Sequence, residues 1–154
     1  MRSGTADTIV MQANRADMEN TDTLARATVY FDGACPLCSV EIKHYKAQAG
    51  SEQLCFVDAS QADVCLGPDL DARAAMRRFH VRRPDGTLIS GARAFVAVWQ
   101  TLPGWQWAAR LARLLGATPF LELGYRLFLP VRPLLSKVAA RFGAKPMPQH
   151  SSVR

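Results

Sequence analysis

Tyr30-Phe31-Asp32-Gly33-Ala34-Cys35-Pro36-Leu37-Cys38 joins an apolar, β-like run to a helical pattern and sets two cysteines a C-x-x-C apart. A helix N-terminus leaves backbone N–H groups unpaired and carries the positive end of the macrodipole. Both favour a thiolate over a thiol, and the thiolate is the form that attacks disulfides. Pro36 suits the first helical turn, where its missing N–H costs nothing. Cys38, one turn on, can reach back to close a disulfide with Cys35. Gly33 permits a sharp exit from the strand. C-x-x-C beside a strand-helix-strand pattern, in a chain whose start shows no secretion signal, points to a redox dithiol.

Outward from that stretch the chain alternates. Ala27-Thr28-Val29-Tyr30-Phe31 is β-branched and aromatic and reads as a central strand. A helix is expected from Pro36 to about Ala49, with Leu37, Val40, Glu41 and His44 at helical spacing and Gly50 stopping it. Leu54-Cys55-Phe56-Val57 follows as a second strand, parallel to the first because a helix lies between. Loop is expected from Asp58 to Asp69, with Asp69 capping a short helix that ends at Arg78. Phe79-His80-Val81-Arg82 is a third strand, Pro84-Asp85-Gly86 a turn, and Thr87-Leu88-Ile89-Ser90 a fourth strand. Gly91 to Thr101 is a helix with Phe95, Val98, Trp99 and Leu102 inward. Three further helical pieces are expected, from Trp105 to Leu115, Pro119 to Leu129 and Pro133 to Phe142. Pro130 and Pro133 should break the last two apart. From Gly143 onward the composition is that of a frayed tail.

Asp32-x-x-Cys35-x-x-Cys38 resembles the signature of the DCC family of thiol-disulfide oxidoreductases. The resemblance continues through Phe56-Val57-Asp58, His80-Val81, Asp85-Gly86, Gly91-Ala92-x-Ala94-Phe95, Leu102-Pro103-Gly104 and Gly124-Tyr125-Arg126, over roughly residues 27 to 130. It implies an α/β, thioredoxin-like fold, a βαβ unit followed by a β-hairpin and a helix, with additional C-terminal helices. It also implies a dithiol active site, and it carries no defined substrate. The expected organisation is a flexible tail over residues 1–25, the thioredoxin-like domain over 26–130, and a C-terminal helix and tail over 131–154. Two features of better-known thioredoxin-fold enzymes are missing. No proline precedes the third strand, where Met76-Arg77-Arg78-Phe79 stands, and Val29 takes the place of a buried acid on the first strand.

The bulk properties are those of one globular domain: 154 residues, 49% hydrophobic and 21% charged. The formal net charge of +6 is spread over several helical faces without a Lys/Arg block, so no nucleic-acid partner is expected. No apolar run of about 18 residues implies an integral membrane segment. Residues 1–25 lack the apolar core of a signal peptide, and the expected location is a reducing cytoplasm.

The residues expected to carry chemistry are Cys35, Cys38 and Asp32. Cys35 is expected to be the more exposed and more acidic thiol and to attack, and Cys38 to resolve the mixed disulfide. Asp32 either accepts a backbone N–H two residues on and shapes the loop, or takes the proton from Cys38. The partner is a disulfide- or thiol-bearing protein or small molecule, and no metal or organic cofactor is required. Cys55 reads as a small core residue, Cys65 as a surface thiol and His44 as structural. His80 is a candidate proton shuttle. Trp99, Trp105 and Trp107 read as packing residues. Two other functions fit the same residues. One is a non-catalytic module whose basic C-terminal helices dock on a partner or membrane surface. The other is a zinc-stabilised interaction domain, for which Cys55 and Cys65 lack the spacing of a second knuckle.

Overall fold

The computed structural model describes residues 26–148; the tail expected over residues 1–25 lies outside the described residues. The strands are β1 (Ala27–Phe31), β2 (Leu54–Asp58), β3 (His80–Arg82) and β4 (Leu88–Ser90). They form one sheet in the order β2-β1-β3-β4, with β1 parallel to β2 and antiparallel to β3. The helices are α1 (Pro36–Lys46), α2 (Ala72–Arg77), α3 (Ala92–Thr101), α4 (Gln106–Leu114) and α5 (Thr118–Arg141). The order β1-α1-β2, then the β3–β4 hairpin and α3, is a thioredoxin-like fold, and α4 and α5 are its C-terminal additions.

Alternation along β1 divides the core between the two faces of the sheet. Val29 and Phe31 pack with Ile42 and Tyr45 of α1 and with Ala94 and Val98 of α3. Tyr30 faces the other way, against Leu66, Leu70 and Ala75 of the loop and α2. The β1–β2 register pairs Phe31 with Asp58, so both strands end at the loop that carries the cysteines.

Three local expectations are corrected. The cap of α2 is Asp71, whose carboxylate accepts the Ala74 N–H at 2.9 Å. Asp69 lies too early, because Leu70 turns into the core between them, and it pairs with Arg82 instead. Pro130 and Pro133 do not break the last helix: α5 runs unbroken for 24 residues. A helical proline removes one backbone bond and crowds the carbonyl four residues back. The helix survives that cost because its inner face is held before the prolines and between them. Tyr125 Oη accepts the Phe79 N–H at 2.9 Å, and Arg132 Nη1 donates to the Met76 carbonyl at 2.9 Å. The segment after Gly143 also has tertiary ties, since the Met147 N–H donates to the Gly33 carbonyl at 2.9 Å.

The start of α3 is fixed to α5. Gly91 has φ +67°, a left-handed conformation that favours glycine. The next residue, Ala92, donates its N–H to Glu122 Oε2 at 3.0 Å, and Glu122 also pairs with Arg78 and Arg126. The face of α5 turned away from this contact is apolar and exposed, with Phe120, Leu127 and Leu134 on it. Among the described residues no helix is long and apolar enough to cross a membrane.

Candidate active site

The site begins where β1 ends. Asp32 Oδ1 accepts the Ala34 N–H at 3.1 Å, and the Cys35 N–H closes a turn onto the Asp32 carbonyl at 3.2 Å. Gly33 is required by close approach: its N–H donates to Asp58 Oδ1 at 2.9 Å, and a side chain there would run into the Asp58 carboxylate. Burial works against the Asp58 charge, but bonds from Ser60, Gln61 and Gly33 overcome it and hold the carboxyl below its ordinary range. Ser39, fully buried, ties α1 back to this loop by donating to the Gly33 carbonyl at 3.0 Å.

Cys35 is the N-cap of α1, with extended backbone, and Pro36 opens the first turn. No acidic residue stands in that turn, so nothing on the helix itself opposes the positive end of its dipole. Both Cys35 and Cys38 are free thiols. The long helix α5 lies over them. Ser136 Oγ is 3.5 Å from Cys35 Sγ, and Arg132 Nη2 donates to Asp32 Oδ2 at 2.8 Å. The expectation that Cys35 is the more exposed thiol is therefore not met: it keeps only 8% of its surface, because α5 covers it.

The environments of the two sulfurs differ in sign. The Cys38 thiol donates to the Cys35 sulfur and does most to lower the Cys35 pKa, to about 4. Desolvation opposes this, while the Ser136 hydroxyl, the Cys38 backbone N–H and Arg132 add to it. The same bond from Cys38, read from the donor's side, raises the Cys38 pKa, and desolvation raises it further. These surroundings favour the charge on Cys35 and the proton on Cys38.

Two spaces flank the dithiol. A cleft of about 680 Å³ opens on Cys35, between α1, Arg77 and the inner side of α5. A much smaller cavity of about 40 Å³ lies on the Cys38 side, walled by Phe31, Phe79, Phe95, Tyr125 and Phe128. Asp32 and Arg132 border both. Glu41, one turn beyond Cys38, lines the cavity and accepts the Tyr45 hydroxyl at 3.0 Å on Oε1. Desolvation raises the Glu41 pKa, against the Tyr45 bond and Arg132. Desolvation likewise raises that of Asp32, with Arg132 pulling it back and the Cys35 charge pushing it up again.

The structure brings Asp32, Cys35 and Cys38 together. His80 lines neither space; its Nδ1 lies 2.8 Å from the Arg78 carbonyl. His44 is exposed and packs edge-on to Trp105. Trp99 stacks on Trp105 and donates to Tyr45 Oη at 3.2 Å, whereas Trp107 is exposed. Cys65 is exposed in its loop, and Cys55 is half-buried on β2. Among the described residues no group of three or more His, Cys, Asp or Glu side chains is gathered as for a metal ion. Sequence reasoning missed Arg132 and Ser136 and gave Glu41 no role beyond helical spacing. Arg132 and Ser136 sit at i and i+4, the spacing that places two polar side chains on one helix face. Two prolines around Arg132 concealed that spacing.

A family model described as DCC1-like thiol-disulfide oxidoreductase matches residues 29–138. No curated protein and no solved structure matches the chain. The matched segment runs from β1 through Ser136, so the cysteines and their cover on α5 both lie inside it. The chain belongs to this family of thiol-disulfide oxidoreductases.

Proposed function

As a member of the DCC1-like thiol-disulfide oxidoreductase family, the chain, we propose, exchanges dithiol and disulfide between Cys35–Cys38 and a substrate. The observation that supports this most is the polarised pair: a sulfur beside an open cleft whose surroundings favour the thiolate, with a second sulfur one turn inside whose surroundings favour the thiol. The Cys35 thiolate attacks one sulfur of a substrate disulfide. A Cys35–substrate disulfide forms, and the other half leaves as a thiolate. Cys38 then loses its proton and attacks the Cys35 sulfur. The Cys35–Cys38 disulfide forms and the second substrate thiolate leaves. The protein is oxidised by two electrons, the substrate disulfide is reduced to two thiols, and the reverse sequence oxidises a dithiol substrate.

In this reading Asp32 positions the site. One of its oxygens shapes the loop through Ala34 and the other holds Arg132 over the sulfurs. Glu41, with one oxygen on Tyr45, faces the cavity of Cys38 and is the better-placed acceptor for its proton. The test is a redox titration. Purified protein equilibrated across a glutathione series and quenched with a thiol-alkylating mass tag should pass in one two-electron step from both Cys35 and Cys38 tagged to neither tagged. Tagging of both cysteines at every oxidising poise would sink the reading.

A further inference from the structure

The charges around the Cys35 cleft select among disulfides. Its walls carry three cations, Arg77, Arg132 and Lys137, and one carboxylate, Asp32. Asp32 and Arg132 are paired at 2.8 Å and cancel one another. Arg77 and Lys137 line the cleft from two different helices, α2 and α5, are exposed, and have no ion-pair partner among the described residues. Their two positive charges exceed the single negative charge of the Cys35 thiolate. The remaining walls are apolar or small: Pro36, Leu129, Pro130, Pro133 and Ala140. A cleft of about 680 Å³ is within the range that encloses a small organic molecule.

We propose that this cleft takes disulfides bearing carboxylates, with Arg77 and Lys137 recognising the negative charge while the apolar walls hold the carbon skeleton. The proposal rests on the exchange reaction above and names its substrate class. A cation-lined cleft concentrates anions near the nucleophile and raises their association rate, an effect that fades with added salt. Arg132 does not recognise substrate in this scheme, because its guanidinium is already spent on Asp32 and the Met76 carbonyl.

The experiment compares three model disulfides in stopped flow with the reduced full chain. These are 5,5′-dithiobis(2-nitrobenzoate), which is dianionic, neutral 2,2′-dithiodipyridine and dicationic cystamine. Each rate is divided by that of the same disulfide with a simple alkyl thiolate, which removes intrinsic reactivity. The normalised rates should fall in the order anionic, neutral, cationic, with about tenfold between the first two at low ionic strength. The order should flatten as salt is added, a readout that needs no variant. The double variant Arg77→Gln, Lys137→Gln should lose the anionic preference and leave the rate with the neutral disulfide within about twofold. Equal normalised rates for all three disulfides would overturn the charge selection while leaving the exchange chemistry standing. Failure of Cys35 to react with any of them would remove the parent reading as well.

Discussion

The two sides of the dithiol invite comparison. Cys35 faces an open, cation-lined cleft, and the Cys38 thiol and N–H, Ser136 and Arg132 all favour its charged form. Cys38 faces a small cavity of aromatic walls, with a carboxyl, Glu41, close by. The residues are of one type and stand one helical turn apart, yet one sulfur is favoured as an anion and the other as a neutral thiol. The largest part of the difference is the bond from Cys38 to Cys35 within the C-x-x-C motif. The helix α5 adds to it through Arg132 and through Ser136, which reaches Cys35 from 101 positions further along the chain.

The sharpest way to break this comparison is to remove one sulfur at a time. Cys38→Ala should leave Cys35 able to attack and unable to be relieved, so mixed disulfides should accumulate through Cys35. Cys35→Ala should form none and lose turnover altogether. Mass mapping of adducts after exposure to a disulfide-bearing protein checks this, and equal trapping by both variants would remove the division of roles.

A second contrast concerns the two carboxyls. Glu41→Gln removes the acceptor on the cavity side and should slow the resolving step by the order of 10²-fold, with the first attack by Cys35 unchanged. Asp32→Asn keeps an acceptor for the Ala34 N–H and should change resolution only a few fold. Single-turnover kinetics separate the two steps. The opposite ranking of the variants would make Asp32 the proton acceptor.

Smaller effects come from α5. Arg132→Met removes a cation beside Cys35 and should raise the pH midpoint for thiolate formation by about one unit. The same change strands the Asp32 carboxylate, with only 19% of its side chain exposed, and should cost about 3 kcal/mol of stability in urea denaturation. Ser136→Ala removes one neutral donor at 3.5 Å and should raise that midpoint by about half a unit. A larger effect from Ser136 than from Arg132 would mean that the hydroxyl, rather than the guanidinium, dominates on the α5 side.

The fold was largely legible because its core follows period-two and helical patterns. The strand Ala27–Phe31 and the Pro84-Asp85-Gly86 turn are local signals, and each was found where expected, whereas α1 ends at Lys46 with Ala47 as its cap, short of the Gly50 stop that was expected. Cys35, Cys38 and the Asp32 turn were legible for the same reason: their relations span a few residues. Arg132 and Ser136 were not, since their relation to the cysteines exists only once α5 is folded over α1. Pro130 and Pro133 made this harder, because proline chemistry argues locally for a break that tertiary contacts at Tyr125 and Arg132 override. The buried state of Cys35 was missed by the same route, as a helix N-terminus read in isolation is an exposed position.

The central claim is that α1 and α5 together hold Cys35 as a thiolate and leave Cys38 protonated. The direct measurement is the pH dependence of alkylation of the reduced protein by iodoacetamide, with the labelled cysteine identified by mass mapping. A Cys35 pKa of about 4 puts the thiolate in the majority above that pH and the thiol below it. The alkylation rate at Cys35 should therefore be flat from about pH 5 to pH 8 and fall about tenfold per unit on further acidification below the midpoint, with Cys38 unlabelled throughout. A midpoint near the ordinary thiol value of about 8.5, or labelling of Cys38 first, would contradict the account.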